Sequence, residues 1–386
     1  NRPFGTQLDV STHGYEWINH SVRPTHIASH DFRITIGRDT AQPYSASIFN
    51  ISAMSFGALS ANAILALNKG AQKGGFAHDT NAADPQVKLI ELKLSQGAKP
   101  GHGGILPAAK VTPEIAAARG VPVGRDCISP SSHSAFSTPV EMMQFIARLR
   151  ELSGGKPTGF KFCIGHPWEW FAMVKAMLET GITPDFIVVD GGEGGTGAAP
   201  LEFTDHVGAP AQEGLLLVHN TLIGVNLRDR IKIGCAGKVV SAFDMARMLA
   251  LGADWCNSAR GFMFALGCIQ AQACHTGHCP TGVTTQEADR QKALVVPDKA
   301  ARVYNFHQQT LHALKELTQA AGLTHPEQIT LHHIVRRVDK NEVRLLANIV
   351  PRMAPGGLLD RDVSGEHMVF KSYWNRVNAD SYALLN

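Results

Sequence analysis

Charge is scarce in this chain. Only 18% of its 386 residues are Asp, Glu, Lys or Arg, and Lys and Arg outnumber Asp and Glu by just 36 to 33, a net charge of +3. So weak a balance leaves no electrostatic footprint for nucleic acid or an anionic membrane surface. Long apolar runs are missing as well: no stretch reaches the roughly 18 residues a spanning helix needs, and no basic-then-apolar segment opens the chain. A disulfide framework is absent too. The cysteines number seven, and Cys127, Cys163, Cys235 and Cys256 stand singly in apolar segments, so a reducing, cytoplasmic setting is expected. The chain opens at Asn1 rather than Met, which leaves open a preceding segment and a membrane tether within it. Finally, no Gly-x-Gly-x-x-Gly follows the first strand-like run and no separate dinucleotide domain is present.

What the chain does have is a cysteine cluster. Five residues separate Cys268 from Cys274 and four separate Cys274 from Cys279, with Pro280 directly after. Thiolates at such spacing choose iron–sulfur clusters or zinc, and Cys-Pro ends many cluster loops. Three ligands rather than four point to a cluster with one empty corner, of the 3Fe-4S kind. A zinc knot completed by His275 or His278 is the alternative, and unliganded core cysteines a third.

Along the chain, residues 1–44 are polar, carry Pro3, Pro24 and Pro43, and show no sustained period. From about residue 45, short apolar runs alternate with helical runs. Phe186-Ile187-Val188-Val189 is apolar without alternation, as a parallel strand covered on both faces should be. Thr138 with Glu141, and Ser241 with Asp244, read as helix caps, and Pro113 as a first helical residue. Runs at 47–52, 89–94, 126–129, 160–164, 186–189, 231–233 and 253–257 read as strands of an α/β fold, a closed (β/α)8 TIM barrel. A doubly wound open sheet is the alternative. Glycine-rich turns after nearly every strand favour the barrel. We expect a wrapping arm over 1–44, the barrel over 45–286 with its cysteine-rich Fe-S loop at 268–286 after the last strand, and a C-terminal helical extension over 287–386. That extension begins with an amphipathic helix over 298–321 whose inward residues are Val303, Phe306, Leu311, Leu314 and Leu317.

The turn Asp190-Gly191-Gly192-Glu193-Gly194-Gly195-Thr196-Gly197 lets backbone approach a flat ligand with its N–H groups turned inward. Gly234, Ala236, Gly237 and Lys238 after one strand, and Ala259, Arg260 and Gly261 after the next, stand where barrels commonly build a phosphate site. FMN fits these turns better than a dinucleotide. Lys161, in the apolar Phe160-Lys161-Phe162, is costly to bury unless an anion meets it. It reads as a cation beside the flavin or as the partner of a carboxylate such as Asp190. Lys93, Gln96 and Lys99 would suit a dicarboxylate at the barrel mouth; a solvated loop is the alternative.

Three motifs in order carry a resemblance: Ser95-Gln96-Gly97-Ala98-Lys99-Pro100-Gly101 with Gly103-Gly104, the 190–200 glycine turn, and the 268–286 cysteine loop ending Cys279-Pro280-Thr281-Gly282-Val283-Thr284-Thr285-Gln286. Together they resemble the synthase domain of the FMN-binding glutamate synthase family. The resemblance implies FMN, a 3Fe-4S cluster on Cys268, Cys274 and Cys279, and reductive amination of 2-oxoglutarate. It would place Lys93, Gln96 and Lys99 against substrate or flavin, Arg119 against either, and Ala53, Met54 and Ser55 against the flavin ring. An external electron donor such as ferredoxin or an NADPH-dependent reductase is implied, and a homo-oligomer is expected. No glutaminase-type nucleophile is present in this sequence, so ammonia or an amine would arrive free or from a separate glutaminase subunit. The sequence departs from the family after His78-Asp79-Thr80, where Asn81-Ala82-Ala83-Asp84 stands in place of a Gly-Glu-Gly-Gly loop. Other readings with the same cofactors are an N-alkylglutamate synthase, an amine or hydroxy-acid dehydrogenase, and an electron-relay subunit.

Overall fold

The computed structural model describes residues 8–77, 87–100, 104–195, 199–360, 362–363 and 365–385, the side chain of Asp205 excepted. The expected strand at Phe186–Asp190 is present and all five of its residues are buried. It lies near the middle of a parallel sheet whose strands run, in spatial order, Phe49–Ile51, Trp255–Ser258, Lys232–Ala236, Phe186–Asp190, Thr158–Phe162 and Ile90–Lys93. Each neighbouring pair is parallel, and the crossovers between consecutive strands carry helices, the arrangement of a (β/α)8 sheet.

Six strands, where eight were expected, are hydrogen-bonded into this sheet among the described residues. The 126–129 segment is a correction. Only Cys127–Ile128 is extended, and it pairs antiparallel with Ile105–Leu106 in a separate two-stranded ribbon. At the far edge the Ile51 N–H donates to Ala77 O at 3.0 Å, so the chain returning from the Ala61–Gly74 helix runs beside the first strand.

Register assigns the sheet's two faces. Residues paired across parallel strands share a face, so Lys93, its partner Lys161, the next partner Val188 and, two residues on, Asp190 point the same way. Gly234, Trp255, Ala236 and Asn257 follow on that face. The other face carries Phe160, Phe162, Ile187, Val189, Ile233, Cys235 and Cys256, at most 5% exposed, under the helices.

Glycine decides how the interior fills. A Cβ on Gly159 would lie 2.1 Å from Phe186 O, and one on Gly234 would lie 2.4 Å from the Trp255 ring. The space those residues leave is taken by Phe186 and Trp255, which meet edge to face with centroids 6.0 Å apart. The interior is thus plugged by aromatics below and carries its polar residues at the strands' C-terminal ends.

The arm and the extension meet: Glu16–Ile18 pairs antiparallel with Ile334–Asp339. The expected long helix spans Val296–Ala320. Val303, Leu311 and Leu314 are fully buried as expected, Phe306 and Leu317 are half-buried, and His307, Thr310 and Thr318 complete the inward stripe. Among the described residues no helix is long and apolar enough to cross a membrane.

Candidate functional site

The mouth is built where two glycine turns touch. Lys161 Nζ lies 3.2 Å from Asp190 Oδ2, both side chains at least nine-tenths buried, so the carboxylate partner is the one that Lys161 meets within the protein. The same Asp190 oxygen accepts the Gly97 N–H at 3.2 Å. Gly97 sits so close to the opposing turn that a Cβ there would lie 1.8 Å from Gly191 O and 3.0 Å from Gly194 O. Gly194 packs on the Asp190 carboxylate, and Gly195, at φ +76°, faces Gln96. Gly191 donates its N–H to Ala236 O at 2.8 Å and Gly192 donates to Ala209 O, tying this turn to the next strand and the next helix.

Beyond the ion pair, Lys93 Nζ donates to Gln96 Oε1 at 2.6 Å on the exposed rim. Lys99 is half-buried, and burial holds its ammonium below its ordinary pKa. Lys93 and Gln96 thus meet at the strand end, and the Lys99 ammonium lies towards Gly104.

The other expected residues divide. Ala53 and Met54 are half-buried and Ser55 exposed, in the turn directly after the Phe49–Ile51 strand. Arg119 is exposed and donates to Phe56 O at 2.8 Å, which pins that turn from outside. Gly237 (φ +148°) and Lys238 (φ +51°) adopt the backbone that a tight turn requires, with Gly237 packed against Ala211 and Gly191. Ala259 and Arg260 are half-buried at the start of the Arg260–Leu266 helix. Gly234 lies inside its strand under Trp255, and Gly261 under the Phe306 ring; both glycines answer to packing there. Thr196, Gly197 and the 78–84 departure lie outside the described residues.

Cys268, Cys274 and Cys279 line a single small recess with Met263, Ile269, Pro280 and Thr284 among its other walls. Neither His275 nor His278 is part of that lining; both are exposed, and His278 Nδ1 is 2.6 Å from Glu287 Oε1. Among the described residues no three His, Cys, Asp or Glu side chains converge on one metal ion, the three recess cysteines included; what joins those cysteines is the recess they line. All seven cysteines are free. Burial raises the Cys163 thiol to about 12 and pushes Cys235 and Cys256 up too, as suits packing residues. Cys279 goes the other way: burial opposes its thiolate, but hydrogen bonds from Thr281 and Thr284 outweigh that and bring the thiol down to about 7.

The loop is also shaped. Gln270 (φ +58°) and Gln272 (φ +55°) are two of four non-glycine residues with positive φ among those described. Such strain persists only where surroundings over-determine the backbone. Donor chemistry, one shared recess and a strained wall all fit a polynuclear iron group.

Sequence reasoning missed three residues that assemble this region. Lys110, 5% exposed, donates from Nζ to Cys274 O at 2.7 Å and to Thr284 O at 3.2 Å. Gln286 donates to Gly57 O and Leu59 O, and the Ser60 N–H donates to Val283 O, so the cysteine loop is bonded to the segment that continues from Ala53-Met54-Ser55. Glu193 accepts the Ala211 N–H at the start of the Ala211–Gly224 helix. Glu193 and Gln286 stood inside the glycine-turn and cysteine-loop motifs without a role of their own, and Lys110 is a lone cation in the apolar stretch before Pro113.

The fold is thus a parallel α/β sheet with interlocked glycine turns at its C-terminal edge and a three-cysteine recess bonded to its first turn. Residues 81–324 match the family model described as the conserved region in glutamate synthase. The chain belongs to the glutamate synthase family. It is 42% identical over 265 residues to the glutamate synthase large subunit-like protein YerD of Bacillus subtilis, covering 69% of this chain and 50% of that protein. It is 38% identical over 241 residues to the archaeal glutamate synthase (NADPH) of Methanocaldococcus jannaschii, covering 62% and 46%. Ferredoxin-dependent glutamate synthase 2 of Synechocystis is 30% identical over 321 residues, 78% of this chain and 20% of that one. The chain thus spans about half the length of the first two relatives. Among solved structures, the recombinant flavin-binding domain of baker's yeast flavocytochrome b2 is similar at a TM-score of 0.45 and 13% identity, over 83% of this chain and 75% of that one.

Proposed function

We propose that this chain is a synthase-type oxidoreductase unit that binds FMN in the mouth and a 3Fe-4S cluster in the cysteine recess, and that reductively aminates 2-oxoglutarate to glutamate. One observation carries the reading: the loop bearing Cys268, Cys274 and Cys279 is hydrogen-bonded through Val283 and Gln286 to Ser60, Gly57 and Leu59, the continuation of the turn that ends the first strand. A recess for electrons and a mouth for a flat ligand are two ends of one bonded segment.

When bound, FMN would supply the hydride and the cluster would supply single electrons. The chain's own residues supply binding and orientation. Cys268, Cys274 and Cys279 would hold the cluster. Gly97, Gly191 and Gly194 keep side chains out of the mouth, so that backbone alone borders a planar ring. The Lys161–Asp190 pair fixes a cation at the floor of the mouth, where it would meet the pyrimidine edge of a flavin. Lys99, half-buried, and Lys93 with Gln96 offer the contacts that the two carboxylates of 2-oxoglutarate need. Holding the oxo acid and its amine partner together in that mouth turns the imine-forming encounter into a local one.

The relatives named as NADPH and ferredoxin-dependent enzymes support an external electron donor. The test is anaerobic turnover: protein purified with its cofactors, a chemically reduced artificial donor, 2-oxoglutarate and ammonia, with glutamate as the measured product. Glutamate formation that a Lys99→Met variant abolishes is expected. No glutamate with ammonia, but an N-substituted glutamate with a primary amine, would move the assignment to an N-alkylglutamate synthase.

A further inference from the structure

Lys110 is a cation buried beside the cysteine recess. It ends the short Ala108–Lys110 turn, is 5% exposed, and spends its N–H groups on the carbonyls of Cys274 and Thr284, two residues that line the cysteine recess. Neutral carbonyls only partly offset the loss of water around an ammonium. The remaining compensation has to come from an anionic neighbour, and three thiolates with their metal group would be one.

We propose that Lys110 is the positioning cation of the recess: it ties the middle of the cysteine loop to its end and, through its fixed charge, makes the group held by Cys268, Cys274 and Cys279 easier to reduce. This rests on the cluster reading above. The step is a one-electron transfer from an external one-electron carrier; the metal group gains one electron and one negative charge, no bond to Lys110 forms or breaks, and no proton moves. Because the reduced state is the more negative, a neighbouring cation stabilises it over the oxidised one. The inference assigns to the 104–119 segment, which also carries Arg119 on the Phe56 carbonyl, a part in electron entry as well as in shaping the mouth.

The experiment is an EPR-monitored redox titration of the purified protein with mediator dyes, comparing wild type with Lys110→Gln, Lys110→Met and Lys110→Arg. Glutamine keeps hydrogen-bond donors without the charge, methionine keeps the apolar stem alone, and arginine keeps the charge. A tenfold or larger shift of the reduction equilibrium against the reduced form, about 59 mV for a one-electron couple, is expected in both neutral variants, with arginine close to wild type. A neutral variant that carries a full cluster at the wild-type potential overturns the proposal. Wild-type protein with flavin but no iron–sulfur signal overturns the cluster reading itself, and the two failures are told apart because the second is seen before any substitution. The Lys110→Arg titration guards against misfolding of the neutral pair: a folded arginine variant shifted as far as tenfold also defeats the assignment of the effect to charge.

Discussion

Lys161 and Asp190 form a buried ion pair at 3.2 Å, and the Asp190 oxygen in that pair also receives the Gly97 N–H. One carboxylate therefore joins two neighbouring strands and the turn that follows a third. Removing one partner leaves a charge desolvated and uncompensated, which costs about 3–5 kcal/mol, whereas removing both costs less. Lys161→Met is expected to lose stability in that range. The double change with Asp190→Asn should recover more than half of it, since asparagine still accepts from Gly97. Urea unfolding of the four proteins in a double-mutant cycle checks this; additive costs would show that the two side chains act independently.

The contact between the two glycine turns gives a sharper test. A methyl group on Gly97 would overlap Gly191 O at 1.8 Å, and both atoms belong to backbone that sheet and helix hold in place. Gly97→Ala should cost more than about 2 kcal/mol and strip flavin from the purified protein. Gly120→Ala is the control. Its φ of +65° also disfavours alanine, but nothing lies within 4 Å of the new carbon, so it should cost only about 1 kcal/mol and leave flavin content unchanged. Equal flavin loss in both would mean that general destabilisation, rather than closure of the mouth, is responsible.

Much of this was written in local pattern. The Thr138–Glu141 and Ser241–Asp244 pairs are both complete capping boxes, because their bonds close within four residues of chain. The unalternating run at Phe186–Asp190 is a strand buried on both faces, and the cysteine spacing found its recess. What stayed hidden depends on residues far apart in sequence. Cys127–Ile128 has the composition of a sheet strand, but its partner is Ile105–Leu106, and no periodicity announces which strand it will pair with. Gly234 reads as part of a turn with Gly237, and its contact with the ring of Trp255, twenty-one residues on, has no local signal. Lys161 left its carboxylate partner open, and only the register that places Asp190 two residues beyond Val188 supplied it.

The cysteines should separate by role. Cys274→Ser is expected to abolish bound iron, measured by elemental analysis, while flavin content stays within a third of wild type, because the mouth turns do not depend on that side chain. Cys163→Ser, in a strand end rather than the recess, should keep its iron. Retained iron in Cys274→Ser together with loss in Cys163→Ser would reverse the assignment.

Acid sensitivity follows from His307. The ring is 1% exposed and stacked on Phe76 at 3.8 Å between centroids, its Nε2 donates to Phe49 O at 3.0 Å, and its Nδ1 accepts from Gln308. Both nitrogens are satisfied in the neutral form, and burial lowers the imidazole from 6.5 to about 4. Between those values the unfolded chain binds a proton that the folded one refuses. Stability from this group therefore falls as pH drops from 7 towards 4, by about 2 kcal/mol on reaching pH 5. His219, also lowered to about 4 by burial, adds to the slope in the same direction. Urea unfolding at pH 7 and pH 5 should show His307→Gln less stable than wild type at the higher pH but losing about 2 kcal/mol less on acidification. Parallel losses in the two proteins would mean that the His307 imidazole titrates alike in the folded and the unfolded chain. The first strand, whose carbonyl it holds, would then need another explanation for its place at the mouth.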